Sequence, residues 1–178
     1  MKKILVLNGS PRKQGNTEML VNAFKNGAEQ AGASVQVVNV ASLKIAGCRA
    51  CGYCADHGHV CVQKDDMTNI LEAAKQADAL VVASPMYFYG LTGQVKCAYD
   101  RLHAMGESNI KQTGMLLCCA DESKSAFESV IAAQKKNAEF DGWTYVGDVQ
   151  AVGVSEKGDV MNTAYLEEAE ALGELFAK

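Results

Sequence analysis

The chain has 178 residues, the usual size of one domain, and its 48% of hydrophobic residues suffice for a proper core. Charged residues make up 21% and the net charge is −4, which excludes a nucleic-acid binder that relies on bulk positive charge and a disordered acidic tail. No stretch approaches the ~20 apolar residues that span a bilayer, and the first apolar run ends at Leu7. We therefore expect one cytoplasmic domain over residues 1–178 with no nucleic-acid or membrane partner.

Strand and helix patterns alternate along the chain. Short apolar, β-branched runs predict buried strands, and apolar positions at helical spacing predict the helices between them. In chain order we predict strand Lys3–Asn8, helix Thr17–Ala31, strand Val35–Val40, a long loop over 41–64, helix Met67–Ala77, strand Ala79–Ser84, helix Thr92–Met105, strand Thr113–Cys119, helix Ser123–Phe140, strand Thr144–Val154 and helix Asn162–Ala177. Five strands alternating with helices imply a doubly wound parallel sheet of order 2-1-3-4-5, with ligands at the carboxyl ends of the strands.

The loop after the first strand has the composition of an anion cradle. Residues 9–17 read GSPRKQGNT and combine glycines with hydroxyls, an amide and a guanidinium, just before the N-terminus of a helix. The loop has neither the Gly-Lys-Ser/Thr of a Walker loop nor the G-x-G-x-x-G dinucleotide fingerprint. A cradle without those parts suits a single phosphate monoester such as that of FMN. The alternative is an ordinary strand–helix turn with Thr17 as N-cap.

The loop after the third strand carries three successive aromatic residues, Tyr87, Phe88 and Tyr89, followed by Gly90. Aromatic side chains at a strand end can form flat walls for a planar ring, while the glycine permits a tight backbone path. The alternative is that these rings only pack beneath the next helix.

Together the two loops resemble those of the NADPH-dependent FMN reductase group of the flavodoxin-like superfamily, through G-S-P-R-x-x-G-N-T at 9–17 and S-P-x-Y at 84–87. The resemblance implies a flavodoxin-like fold, FMN as cofactor and NAD(P)H as co-substrate. It implies that the phosphate is held by Ser10, Arg12, Gly15, Asn16 and Thr17. It implies a ring site formed by Pro85, Met86, Tyr87, Phe88, Gly90 and Leu91, with Ala120 and Asp121 from the loop after the fourth strand, although the acidic pair at 121–122 departs from the small residues common there. The flavin carries the chemistry, so we predict no catalytic side chain.

A second motif lies in a cysteine-rich loop at 44–64. Cys48, Cys51, Cys54 and Cys61 have the spacing C-x2-C-x2-C-x6-C. Four thiolates suit a [4Fe–4S] cluster, zinc takes the same ligands, and free or disulfide-forming thiols are the third alternative. The motif resembles that of the iron–sulfur flavoproteins, a subgroup of the same family, and this resemblance implies a cluster that relays electrons to FMN.

The combined prediction is an FMN-dependent oxidoreductase or electron-transfer flavoprotein. Its electron donor would be NAD(P)H or a ferredoxin-type protein, and its acceptor a small molecule. The alternatives are an NAD(P)H:FMN or quinone reductase without a metal cluster, a non-enzymatic electron carrier like flavodoxin, and a redox-sensing binding protein. The resemblance also implies a homodimer or homotetramer.

Overall fold

Five parallel strands form one sheet in the computed structural model, which describes residues 1–178. The strands are β1 (Lys3–Asn8), β2 (Ser34–Asn39), β3 (Ala79–Pro85), β4 (Gln112–Cys118) and β5 (Thr144–Ala151), and their order is β2-β1-β3-β4-β5. The predicted winding is therefore confirmed. The three central strands β1, β3 and β4 are buried almost throughout, as expected of near-continuous apolar runs in a parallel sheet, whereas the edge strands β2 and β5 are only partly buried.

Five of the six α-helices occupy the predicted connections with altered limits, and the sixth, a single turn, lies in the loop predicted over 41–64. The six helices are α1 (Asn16–Gln30), α2 (Tyr53–Asp56), α3 (Met67–Gln76), α4 (Gly93–Arg101), α5 (Glu128–Asp141) and α6 (Tyr165–Ala177). None of them combines the length and the hydropathy needed to cross a lipid bilayer.

Several predicted boundaries were wrong. The helices predicted over 92–105 and 123–140 each include a 3₁₀ segment, at Leu102–Met105 and Lys124–Phe127. The helix predicted over 162–177 begins only at Tyr165, after a 3₁₀ segment at Asp159–Asn162. Hydrophobic spacing does not separate a 3₁₀ turn from the end of an α-helix. The fifth strand stops at Ala151 rather than at 154, because Gly153 has a φ of +67° and turns the chain out of the sheet.

Alternate side chains of each strand reach opposite faces of the sheet, and this divides the core into two layers. Leu5 and Leu7 pack with α3, α4 and α5, whereas Ile4 and Val6 pack with α1 and α6. The register aligns the carboxyl ends of the central strands, with Asn8 beside Ala83 and Pro85 beside Cys118. The loops that follow these strands therefore gather at one edge of the sheet.

Candidate functional site

A cleft of about 140 Å³ opens at the carboxyl edge of the sheet. The loops after β1, β3, β4 and β5 line it. Nine of its lining residues belong to the predicted FMN site: Ser10, Arg12, Gly15, Asn16, Thr17, Pro85, Met86, Tyr87 and Ala120. Four others were not predicted: Cys118, Cys119, Val154 and Ser155.

The phosphate loop, residues 9–17, is folded tightly against its neighbours. The side chain of Asn8 accepts a hydrogen bond from the backbone N–H of Ser10, at 3.1 Å, and the Thr92 hydroxyl donates to the carbonyl of Gly9, at 2.9 Å. A Cβ at Gly9 would lie 2.5 Å from Thr92 Oγ1, so only glycine permits this approach. Helix α1 begins at Asn16, and its first N–H groups have no acceptor within the helix. These donors and the positive end of the helix dipole favour an anion.

Asn16 is occupied by the chain after β5. Its amide donates to the carbonyl of Glu156 at 2.8 Å, and its oxygen accepts from the N–H groups of Gly158 and Val160 at 3.0 and 3.3 Å. The side chain predicted to bind phosphate thus holds the 154–160 segment in place as one wall of the cleft. Its partners lie about 140 residues further along the chain, so no local pattern could have revealed them.

Arg12 is the one charged side chain that lines the cleft, and no carboxylate lines it. Its guanidinium donates to the carbonyl of Ser155 at 2.9 Å, which orients the side chain while leaving other N–H groups available. A cation and free backbone donors with no opposing acid make a site for an anion rather than for a metal ion.

The floor of the cleft pairs Thr17 with Cys118. Their side-chain oxygen and sulfur are 3.2 Å apart, and both residues are buried. Burial raises the pKa of the Cys118 thiol to about 11, and burial likewise raises the pKa of the Cys119 thiol. Both thiols are therefore neutral at pH 7, so they add no negative charge beneath a bound anion.

The aromatic turn, Tyr87–Gly90, divides the residues predicted to contact the flavin ring into those that line the cleft and those that do not. The backbones of Tyr87 and Gly90 exchange two hydrogen bonds, at 2.9 and 3.0 Å, and the two central residues have φ of +49° and +57°. Positive φ at both central positions defines a type I′ turn, which usually holds Asn or Gly rather than aromatic residues. Only Tyr87 of the three aromatics lines the cleft, while Phe88 is fully exposed at the tip.

The remaining predicted ring residues also lie outside the cleft. Gly90 and Leu91 line a separate groove of about 750 Å³ between α4 and α5. Asp121 does not line the cleft, and its carboxylate accepts from the Tyr89 hydroxyl at 3.4 Å and from the backbone N–H of Ser123 at 2.8 Å.

The cysteine loop, residues 44–64, projects from the base formed by Lys44 and Asp66. The N–H of Lys44 donates to the Asp66 carboxylate at 2.7 Å, and the N–H of Asp66 donates to the carbonyl of Lys44 at 3.2 Å. All four motif cysteines have free thiols; the first two are exposed and the last two are half-buried. The structure contains no group of three or more His, Cys, Asp or Glu side chains placed to hold a metal ion. The predicted ligands are thus present in number and kind, but their sulfurs are not gathered here.

Arg101, at the end of α4, fastens this loop to the core. Its side chain is only 1% exposed and forms an ion pair with Asp65. The guanidinium also donates to the Cys61 sulfur at 3.3 Å and to the carbonyls of Ala46 and Gln63 at 3.2 and 3.4 Å. Its Nε–H is buried without an acceptor. The loop supplies four thiols, and the one at Cys61 lies beside a buried cation with a spare donor, so the donor set fits an anionic metal centre chemically.

The same contacts shift the ionisation of Asp65. Burial alone would raise the pKa of this carboxyl, but hydrogen bonds from Arg101 and from the N–H groups of Ala46 and Met67 outweigh burial and hold the pKa below its ordinary value. Asp65 therefore stays charged at pH 7 and balances the buried guanidinium.

Comparison with known proteins agrees with this geometry. The family model for NADPH-dependent FMN reductases matches residues 2–154. The chain belongs to this family. It is 31% identical over 149 residues to an iron-sulfur flavoprotein of Methanosarcina thermophila, a match that covers 82% of this chain and 78% of the relative. Within the FMN reductase family it therefore groups with the iron–sulfur flavoproteins.

Other relatives of this FMN reductase family member match over a shorter span. An iron-sulfur flavoprotein of Archaeoglobus fulgidus is 39% identical over 106 residues, which are 60% of this chain and 47% of that protein. The match thus spans only about half the length of this relative, and the same holds for one from Methanocaldococcus jannaschii at 51%.

Solved structures share the fold at low sequence identity. An NAD(P)H:quinone oxidoreductase from Methanothermobacter marburgensis has a TM-score of 0.73 at 15% identity, covering 97% of this chain and 98% of the other. An FMN-dependent NADH-azoreductase from Bacillus anthracis, in complex with FMN, has a TM-score of 0.72 at 14% identity, covering 99% and 100%. At such identities the likeness establishes the fold alone.

Proposed function

We propose that the protein is an FMN-dependent oxidoreductase that transfers electrons from NAD(P)H, or from a ferredoxin-type donor, to a small-molecule acceptor. The single observation that carries this proposal is the cleft itself. It brings the phosphate loop, the unpaired N–H groups of α1 and the start of the aromatic turn together without a carboxylate. Membership of the FMN reductase family supports the same cofactor.

The residues of the cleft divide into two tasks. Ser10, Arg12 and Thr17, with the backbone N–H groups that begin α1, would hold the phosphate, and Asn16 would hold the wall of the cleft. The ring would lie against residues from the loops after β3 and β4: Pro85, Met86, Tyr87 and Ala120. FMN, when bound, supplies both hydride and single-electron chemistry, so the chain needs no acid or base of its own.

The size of the cleft favours exchange with a second substrate. Pockets that enclose a whole small ligand usually have volumes of ~300–1,000 Å³, whereas this cleft has about 140 Å³. Only part of the flavin would therefore be enclosed. The exposed remainder would be accessible to an electron donor or acceptor.

The cysteine loop adds a finer proposal. We infer that Cys48, Cys51, Cys54 and Cys61 hold a [4Fe–4S] cluster, which would supply single-electron transfer to and from the flavin. The compact motif, the relatives called iron-sulfur flavoproteins and the buried cation beside Cys61 support it. Zinc in the same thiolates, or a cluster-free reductase, is the competing outcome. We further propose a cytoplasmic homodimer or homotetramer; a monomer mass of 19.0 kDa by light scattering would contradict that assembly.

The reductase activity is tested with the FMN-reconstituted protein under anaerobic conditions. We expect oxidation of NADH or NADPH in the presence of a quinone, at a rate well above that of the same concentration of free FMN. Reduction by a ferredoxin with neither NAD(P)H oxidation nor onward reduction of the quinone would instead indicate a dedicated electron carrier. Absence of both reactions would contradict the proposed function.

The cluster is tested with a matched pair of cysteine variants. Cys51→Ser removes a motif thiol, whereas Cys97→Ser removes a half-buried thiol outside the motif. After anaerobic reconstitution, we expect iron and sulfide to be lost from the first variant and retained by the second. Equal iron content in both variants would contradict the assignment of the motif as the cluster ligands.

A further inference from the structure

The burial of the charged Arg101 side chain is not explained by the FMN site. Charged side chains are seldom fully buried unless they are paired, because removing a charge from water is unfavourable. Arg101 is 1% exposed and does not line the FMN cleft. Apart from Asp65, all its hydrogen-bond partners lie within residues 44–64. The burial of this cation therefore serves the cysteine loop.

The contacts of Arg101 join the two ends of that loop. Ala46 lies before the first motif cysteine, and Cys61 and Gln63 lie at the far end. A planar guanidinium with five N–H donors can bind all of them at once, which a lysine ammonium cannot do in the same geometry. One side chain thus determines where the last motif thiol lies relative to the start of the loop.

We propose that Arg101 is the positioning residue of the metal site in the cysteine loop, holding Cys61 in place and donating N–H hydrogen bonds to the sulfur of the assembled site. The inference rests on the proposed cluster. The buried Nε–H without an acceptor supports it, because buried donors in folded proteins nearly always have a partner, and sulfur of an assembled site is an acceptor that the loop can supply. Hydrogen bonds to cluster sulfurs are among the determinants of the reduction potential.

Helix α4 connects this site to the flavin cleft. Helix α4 runs from Gly93, just after the aromatic turn, to Arg101, and Thr92 at its start donates to the phosphate loop at Gly9. The helix that carries the cation to the cysteine loop is therefore the same helix that packs against the phosphate loop. A change at Arg101 should act on the cysteine loop, since the cleft contacts lie at the opposite end of α4.

The test compares Arg101→Gln and Arg101→Lys with Arg49→Gln in the full chain reconstituted anaerobically with FMN, iron and sulfide. Arg49 is an exposed arginine next to Cys48 with no hydrogen bond from its side chain, so it controls for the loss of a positive charge from the loop. FMN content and circular dichroism establish that each variant is folded. The readouts are iron per chain, the rate of iron loss to a chelator and the reduction potential of the cluster.

We expect Arg101→Gln to lose iron to the chelator about 10-fold faster or more, as for other residues that orient metal ligands. Arg101→Lys should retain more iron than Arg101→Gln, since it keeps the positive charge. Its cluster should have a more negative reduction potential than that of the wild type, since lysine lacks the several N–H donors of the guanidinium. Arg49→Gln should behave like the wild type. Wild-type iron retention and potential in Arg101→Gln, or equal losses in Arg101→Gln and Arg49→Gln, would overturn the proposal.

Failure of the cluster and failure of the positioning role are distinguishable. If the wild type binds no iron, the cluster proposal fails, and the alkylation rate of Cys61 in the metal-free protein, measured by peptide mass spectrometry, decides the role of Arg101. A faster Cys61 rate in Arg101→Gln than in the wild type would retain Arg101 as the residue that positions this thiol, and an unchanged rate would reject it. If Arg101→Gln does not fold, Arg101→Lys and Asp65→Asn are compared by the same readouts, and wild-type values in both would reject it.

Discussion

The substitution Arg12→Gln separates recognition of the FMN phosphate from recognition of the ring. Arg12 supplies the only charged side chain of the cleft, and no acid there opposes it. Glutamine keeps hydrogen-bonding capacity and much of the length of the side chain but removes the charge. The variant should therefore weaken binding of FMN, while riboflavin, which has the ring and no phosphate, should bind almost as it does to the wild type.

The expected size of the effect follows from the exposure of Arg12. A hydrogen bond to a charged group contributes about 1.5–3 kcal/mol. Arg12 is exposed, so solvent screening reduces its contribution to the lower end of that range. A loss of about 1.5 kcal/mol corresponds to about a 10-fold increase in the Kd for FMN.

Fluorescence titration of the flavin-free protein with FMN and riboflavin measures both affinities. Lys13→Gln is the matched control, because Lys13 carries the same charge in the same loop without lining the cleft. Its Kd for FMN should remain within about 2-fold of the wild type, since exposed charges at a distance are screened. Equal weakening of FMN and riboflavin by Arg12→Gln would refute the argument, because it would mean that Arg12 acts by shaping the loop rather than by contacting phosphate.

Three further predictions concern the structure around the cleft. Gly9→Ala should lower the free energy of unfolding by about 1–3 kcal/mol, because its Cβ would overlap Thr92; Gly93→Ala, with open space around its Cβ, should not, and urea unfolding compares the two. Asn16→Ala should destabilise the protein by about 2–4 kcal/mol, since it leaves the buried N–H groups of Gly158 and Val160 without acceptors. Amide hydrogen exchange in the 154–160 segment should also become faster, and unchanged exchange would contradict the role of Asn16 in holding this segment. Burial raises the pKa of the Cys118 thiol to about 11 in the folded state, whereas the thiol of the unfolded chain has a pKa near 9, so the free energy of unfolding should fall by about 2–3 kcal/mol as the pH rises from 9 to 11. Cys118→Ala should lack this part of the loss. Identical pH profiles of the two proteins would refute the raised pKa of Cys118.

The sequence predicted the sheet well because its three central strands are short apolar runs buried on both faces. The predicted position of residues 9–17 at the edge of the sheet was correct for a similar reason, since these residues are neighbours in the chain and five of them line one cleft in the fold. The end of β5 was missed because it depends on the positive φ of Gly153, and many glycines without such a φ look the same in sequence.

Contacts between distant parts of the chain account for what was missed in the site. Ser155 lines the cleft because hydrogen bonds from Arg12 to its carbonyl, and from Asn16 to the neighbouring carbonyl of Glu156, hold this segment there; both donors lie more than 130 residues earlier in the chain. Phe88 leaves the cleft because the aromatic turn adopts a type I′ conformation without the Asn or Gly that normally signals it. The contact of Arg101 with Cys61 spans 40 residues and had no sequence signal.

The most direct test of the account is the content of cofactors per chain after anaerobic purification and reconstitution. FMN, iron, sulfide and zinc are quantified together with the absorbance spectrum. We predict about one FMN with about four irons and four sulfides per chain, as four thiolates imply. FMN with zinc or without metal would contradict the cluster and leave a simple flavin reductase, whereas absence of bound FMN would contradict the central claim that the cleft is a flavin site.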